Sequence, residues 1–308
     1  MEKVTFFILI IIRFGLESVL VDALFFLPLP MLFNLHTHTN FCDGSNHPEE
    51  YIKEAIRKDF KVIGFSGHAP VPFENKFAIK NEAQLSEYCK TIQELKKKYK
   101  NQIEVFLALE FDYIPGITNA FKPVIEKHNL DYSIGGIHLV KAENDLWFID
   151  GPYNEKYENG LRDLFNGDIR KAVGTYFTQI NEMISNEKPD IIAHFDKIKM
   201  HNRGRFFSEE ESWYKNLVQE TLDHIQESDT IVEINTRGIY RKRSESFFPS
   251  NWIVKLLKEK RIRITINSDA HKPEEVSLLL NDARKMAKEC RYREVFVFSK
   301  EGFVPVEI

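Results

Sequence analysis

An α/β fold built on a parallel sheet, open or closed into a barrel, follows from three features of this 308-residue chain. Short apolar, often β-branched runs alternate with longer amphipathic stretches, nearly every such run ends in a histidine or carboxylate, and no internal repeat or low-complexity linker breaks the rhythm. With 43 % hydrophobic and 13 % aromatic residues the chain can bury a substantial core, and residues 31–308 read as one domain.

In order, the expected strands are residues 32–35, 62–66, 105–109, 132–137, 191–193, 231–234 and 262–266. Helical patterns fall between them at residues 48–58, 82–99, 172–185, 208–226 and 251–260. Ser208 with Glu211 has the spacing of a capping box, and Lys96, Lys97 and Lys98 form the basic last turn of a solvated helix. Residues 141–175 depart from the alternation. Holding Trp147, Asp150, Tyr153 and Tyr157, they read as an elaborated connection that covers a pocket.

Residues 6–12 and 19–30 are apolar enough to resemble a signal peptide or membrane anchor, but Arg13, Glu17 and Asp22 interrupt them. A bilayer span takes about 20 apolar residues, and Arg or Asp at mid-helix costs roughly 2.5–3.5 kcal/mol. No small-residue cleavage pattern precedes Met31, which leads straight into the first strand. Residues 1–30 therefore read as an upstream extension or a start assigned too early, and no membrane partner is expected. The formal charge of −4 supplies no basic footprint for nucleic acid. Cys42, Cys89 and Cys290, far apart and without a CxxC, argue against a disulfide framework and for a reducing cytoplasm. The oligomeric state is left open.

Chemistry-bearing residues stand where strands stop. His36 and His38 follow the first strand, His68 the second, Glu110 the third, His138 the fourth, His194 the fifth, and Asp269 and His271 the last. Only the sixth, ending at Asn235, lacks a metal-capable residue. In a parallel barrel these ends converge on one face, so residues remote in sequence meet there. One such histidine reads as an ordinary core or surface side chain; repetition at matched positions reads as a metal centre. Asp43 reads equally as a further ligand and as the start of an Asp-Gly turn with Gly44.

Imidazole and carboxylate donors suit Zn²⁺, Mn²⁺ or Fe²⁺ without choosing among them. Eight or nine ligands, at about three or four per ion, imply two or three divalent metal ions, with Glu110 as the natural bridge. Such a cluster can make hydroxide at neutral pH and hold both oxygens of a phosphoryl displacement, so phosphate ester hydrolysis is the leading chemistry. Metal-dependent amidohydrolases compete, but they commonly use a carboxylated lysine, and neither Lys76 nor Lys80 stands at a strand end.

These motifs resemble the polymerase-and-histidinol-phosphatase (PHP) family over residues 32 to about 300. The histidinol-phosphatase branch is resembled in His36-Thr37-His38 with Asp43-Gly44 and His47-Pro48-Glu49, in Gly64-Phe65-Ser66-Gly67-His68-Ala69-Pro70, and in Gly135-Gly136-Ile137-His138. Ala193-His194-Phe195-Asp196, Glu233-Ile234-Asn235-Thr236 and the terminal Ser268-Asp269-Ala270-His271 complete the set. Gly67 stands where relatives often carry an acidic residue that is not a ligand. The resemblance implies a distorted (β/α)7 TIM-like barrel with a trinuclear centre. It implies His36, His38, Glu110 and Asp269 on one metal, Glu110, His138 and His194 on a second, and Asp43, His68 and His271 on a third.

For a phosphate dianion, arginine offers a matching planar fork. Arg203, nine residues past His194, and Arg237 and Arg241, past the sixth strand, are the substrate-binding candidates, with His47 ahead of Pro48 as a fourth. Arg205 and each of these also reads as a solvated loop residue, and His47 as a helix N-terminus. The expected mechanism is in-line attack of a metal-bridging hydroxide on phosphorus, with Glu110 as bridge and Asp269 positioned to take a proton. The branch resemblance implies L-histidinol phosphate as substrate, its cationic end met by Asp150 and Trp147. Two alternatives stay open: a phosphoesterase of nucleotides or nucleic-acid ends, which calls for a basic groove, and a metal-binding domain without turnover.

Overall fold

The computed structural model describes residues 31–143, 145–151 and 153–308; residues 1–30, read above as an extension, lie outside them. In chain order the strands are β1 (Phe33–Asn34), β2 (Val62–Phe65), β3 (Glu104–Asp112), β4 (Tyr132–Gly136), β5 (Leu139–Lys141), β6 (Leu146–Phe148), β7 (Ile191–Ile192), β8 (Ile231–Asn235), β9 (Ile264–Asn267), β10 (Glu294–Ser299) and β11 (Gly302–Glu307). Seven of them, in the order β1-β2-β3-β4-β7-β8-β9, form one parallel sheet, and each corresponds to an expected strand. Buried on both faces, these strands are continuous β-branched and aromatic runs rather than alternating ones.

The ring closes between β1 and β9 through side chains. Asn267 Oδ1 accepts from Leu35 N at 2.8 Å, and Asn34 Oδ1 accepts from Ser268 N at 2.9 Å. Past this seam Thr37 and Ala270 pair in parallel, with His38 N donating to Ala270 O at 2.8 Å. The result is the distorted seven-stranded barrel, nearly closed, whose last joint lies beside the first and last metal motifs.

Helices Pro48–Arg57, Glu82–Tyr99, Ile169–Asn186 and Asn251–Glu259 follow the expected pattern. Asn81 caps the second by accepting from Gln84 N, and Asp168 caps the third by accepting from Lys171 N. The capping-box reading at Ser208 needs correction: Ser208 N does donate to Glu211 Oε1 at 2.9 Å, but the helix runs Ser212–Gln226 with Glu211 as its cap. The helices Phe121–His128, Asn154–Phe165 and Leu280–Glu289 went unread in the sequence, as did both hairpins.

The hairpins mark the two ends of the barrel. β10–β11 lies at the N-terminal end, where Phe298 packs on Phe106 at 4.9 Å and on Tyr132 at 5.3 Å between ring centroids. β5–β6 follows His138 directly, at the C-terminal end, and begins the elaborated connection. Among the described residues no helix is long and apolar enough to cross a membrane.

Candidate metal centre

All the strand-end residues meet at the C-terminal face. His36, His38, His68, Glu110, His138, His194 and Asp269 are buried, while Asp43 and His271 stand at the open side. Glu110 is central: its Oε2 lies 3.2 Å from both His36 Nε2 and His38 Nε2, and its Oε1 lies 3.0 Å from His194 Nε2 and 3.7 Å from His138 Nε2. Asp269 Oδ1 is 3.4 Å from His38 Nε2 and from His271 Nδ1, and His271 Nε2 is 3.0 Å from Asp43 Oδ2. Gly136 keeps the centre open, because an added Cβ would sit 3.1 Å from Glu110 Oε1 and 3.0 Å from His194 Cε1. His194 and Asp269 adopt left-handed backbone, φ 28° and 53°, a conformation that costs an L-residue roughly 1–2 kcal/mol.

Two carboxylates that spacing did not single out orient the imidazoles. Asp112 accepts from His68 Nδ1 at 2.9 Å and from His138 Nδ1 at 2.6 Å, one through each oxygen. Glu233 holds His36 Nδ1 at 2.7 Å and accepts from His194 N at 3.1 Å. Fixing Nδ1 in this way turns Nε2 inward and keeps it available as a donor to a cation. The third implied set, Asp43, His68 and His271, lines one cavity, with His68 oriented through its Nδ1 by Asp112.

The donor set fits divalent metal. His36 Nε2 and His38 Nε2 face each other at 3.1 Å and share Glu110 Oε2, an arrangement in which one proton satisfies one pair and a cation satisfies all three. Further three-donor groups are Glu110, His138 and His194, and His38, Asp269 and His271. The buried His194 Nδ1 and Asp269 Oδ1 accept or donate no hydrogen bond, so polar capacity remains for a ligand. Without metal, ionised carboxylates keep protons on two of the imidazoles. Burial pulls the His36 imidazole down, but Glu233, Glu110 and Asp269 outweigh it and raise it to about 10. His68 rises to about 9 against the same burial penalty, through Glu110 and Asp112. Burial, with Lys197 nearby, lowers His194 to about 4, leaving it neutral and free to ligate.

Beside these donors lies a cavity of about 180 Å³ whose other wall is cationic: Lys197, Arg237 and Arg243, with Phe77, Phe148 and Asp150. Of the arginines expected at the substrate, only Arg237 is there, donating to Asp269 O at 3.0 Å. Arg203, exposed and with left-handed backbone at φ 45°, donates instead to Lys242 O at 3.2 Å. Arg241 pairs with Glu275 at 3.4 Å outside the cavity. His47 caps the helix Pro48–Arg57 by accepting from Glu49 N at 3.3 Å, which is its helix-terminus reading. Trp147 does not reach the cavity either; it is fully buried, and its Nε1 donates to Tyr157 O. Asp150 does line the cavity, ion-paired with Lys197 at 2.8 Å and Arg243 at 3.5 Å. A larger groove of about 410 Å³ near Pro189 and Thr230 brings together none of the expected site residues.

A nearly closed parallel barrel with a histidine–carboxylate cluster at its C-terminal strand ends defines the class: a metal-binding α/β barrel. The PHP domain model matches residues 34–237, and the chain belongs to that family. It is 28 % identical over 257 residues to the histidinol-phosphatase of Bacillus subtilis, spanning 78 % of this chain and 94 % of the relative. It is 26 % identical over 284 residues to the probable histidinol-phosphatase of Schizosaccharomyces pombe, spanning 88 % and 90 %. Among solved structures the fold is that of a putative histidinol phosphatase from Listeria monocytogenes, with a TM-score of 0.71 at 20 % identity over 82 % of this chain and 99 % of that one. It is also that of the Lactococcus lactis histidinol phosphate phosphatase solved with zinc, L-histidinol and phosphate, with a TM-score of 0.62 at 20 % identity over 88 % and 98 %.

Proposed function

We propose that the chain is a metal-dependent histidinol-phosphatase, hydrolysing L-histidinol phosphate to L-histidinol and phosphate in histidine biosynthesis. The observation that carries this reading is the two-sided cavity: metal-capable donors on one wall, Lys197, Arg237 and Arg243 on the other, and about 180 Å³ between. A phosphate monoester dianion is the ligand that both walls attract. The names of the relatives at 28 % and 26 % identity, and the zinc, histidinol and phosphate in the Lactococcus lactis enzyme, support the same substrate.

His36, His38, Glu110 and Asp269 would hold one ion, Glu110, His138 and His194 another, and Asp43, His68 and His271 a third. When bound, such ions supply Lewis acidity, acidifying water and neutralising charge on phosphoryl oxygens. The chain's own part is positional. Asp112 and Glu233 fix the imidazoles, while Lys197, Arg237 and Arg243 draw the phosphate in and orient it for in-line displacement. Asp269, with one buried oxygen free of hydrogen bonds beside His38, is positioned to take a proton. Asp150, on the cavity wall, would meet the cationic end of the histidinol portion. The nucleotide reading gains no support, because arginines outside the cavity that could extend a basic groove are matched locally: Arg205 by Glu158 and Arg241 by Glu275. Three free thiols, Cys42, Cys89 and Cys290, suit a cytoplasmic setting.

The test is phosphate release by the metal-reconstituted protein from L-histidinol phosphate, p-nitrophenyl phosphate and a nucleoside monophosphate, with Asp269→Asn as control. Strong preference for histidinol phosphate, abolished in the control, is expected. Equal turnover of all three would replace the reading with a generic phosphoesterase.

A further inference from the structure

We propose that Asn235, on which the barrel strand without a metal-capable end stops, is a positioning residue of the metal centre. Its amide brackets Asp269 and Glu233 and fixes which oxygen of Asp269 is turned to the cation; the proposal rests on the metal-dependent reading above. Asn235 is fully buried at the end of β8 and stands behind the cavity rather than on its wall, so it acts only through its neighbours.

The amide has one orientation. Its Oδ1 accepts from Arg237 N at 2.9 Å, a partner that can only donate, so Nδ2 points the other way, into the cluster. There it donates to Glu233 Oε2 at 2.8 Å and to Asp269 Oδ2 at 3.2 Å. The backbone beneath is pinned as well: Asn235 N donates to Phe248 O at 2.7 Å, and Asn235 O accepts from Phe248 N at 3.2 Å. Asp269 is thus held at both ends from the same short stretch of chain. Its carbonyl, in left-handed backbone at φ 53°, accepts from Arg237 Nη1 at 3.0 Å and from the Tyr240 hydroxyl at 3.1 Å, while Asn235 holds its side chain.

The two bracketed carboxylates then differ in what they have left to give. Glu233 has both oxygens occupied, Oε1 by His36 Nδ1 at 2.7 Å and Asn267 Nδ2 at 3.0 Å, Oε2 by His194 N at 3.1 Å and by Asn235, so it remains an orienting group. Asp269 has Oδ2 occupied and Oδ1 without a hydrogen bond, 3.4 Å from both His38 Nε2 and His271 Nδ1. One amide donor therefore separates a ligand from a support. A side chain lacking that donor would leave two buried carboxylates facing each other and Asp269 free to turn about its terminal torsion, which has no sharp preference of its own.

The test is zinc competition titration of the full chain, of Asn235→Ala, of Asp269→Asn and of the double variant, with kcat and KM for L-histidinol phosphate measured at saturating zinc. Asn235→Ala is expected to weaken zinc roughly 10- to 100-fold, the cost of losing a group that orients a ligand, and to lower kcat more than it raises KM. In the Asp269→Asn background the further loss is expected to shrink, because the carboxylate that Asn235 aims is gone. A loss that is absent in Asn235→Ala, or that persists undiminished in the double variant, overturns the assignment of Asn235 alone. No zinc bound by the unaltered chain overturns the metal-centre reading and Asn235 with it. Should Asn235→Ala not fold, the near-isosteric Asn235→Asp decides, since it keeps the acceptor for Arg237 N and removes the donor. Weaker zinc binding despite the added carboxylate is expected there, and equal or tighter binding refutes the bracket.

Discussion

At the N-terminal end of the barrel, Phe106 of β3 and Tyr132 of β4 meet Phe298 and Phe303 of the terminal hairpin, ring against ring. Four to six residues further along the same two strands, at the C-terminal end, stand Glu110 and Asp112, with His138 just beyond β4. The first end is carbon and is stable because apolar area leaves water. The second is a buried cluster of imidazoles and carboxylates that holds together only through proton sharing and invites a cation. One set of strands therefore carries stability at one end and chemistry at the other, and changes at the two ends should have separable consequences.

The largest separation is expected from Asp269→Asn. Turnover of histidinol phosphate should fall by well over the roughly 10- to 100-fold that removing an outer-shell partner costs, while thermal unfolding of the metal-free chain changes little. Phe106→Ala, 2 % exposed in the native chain, should do the reverse: about 3–5 kcal/mol of stability lost in denaturant titration, with kcat of the folded fraction kept. Loss of activity without loss of stability in the second variant would erase the distinction between the ends.

Smaller effects sharpen it. Asp112→Asn should leave the fold intact and weaken metal binding roughly 10- to 100-fold by competition titration, because both His68 and His138 lose their orienting acceptor. Lys197→Met should raise KM for histidinol phosphate about tenfold, near the lower end of what a charge-assisted hydrogen bond carries, with less effect on kcat.

The smallest expected effect is on pH and stability. His36 and His68 are raised to about 10 and about 9 in the metal-free fold, against roughly 6.5 when unfolded. Their stabilisation is full below about 6.5 and is lost as pH climbs through 9 to 10. Asp112 is depressed to about 2: burial opposes this, but His138 and His68 outweigh it, so its contribution holds above about 3.9 and fades as pH falls toward 2. Melting temperature of the metal-free chain should therefore decline on both sides of a mildly acidic maximum. Metal should flatten the alkaline side, because cations replace the protons on these nitrogens.

The seven barrel strands were legible because buried parallel strands are short β-branched runs, and the metal-capable residues because six of the seven runs stop at a histidine or carboxylate. Asp112 and Glu233 were overlooked although a signal existed: residues two apart on a strand share a face, and Asp112 follows Glu110 by two. Of the cavity's arginines, Arg237 was legible and Arg243 was not. Whether Arg203, Arg237, Arg241 or Arg243 turns inward depends on how the loops after β7 and β8 fold back, and spacing carries no such information. The terminal hairpin escaped because β10 and β11 stand outside the strand–helix alternation that guided the reading.

The central claim is that the cluster at the C-terminal strand ends works through bound metal. Its most direct test is phosphate release from L-histidinol phosphate before chelation, after it, and after return of zinc, manganese or iron. Activity that disappears on stripping and returns with at least one of these ions is the predicted result; undiminished turnover by a chain freed of metal would contradict the account.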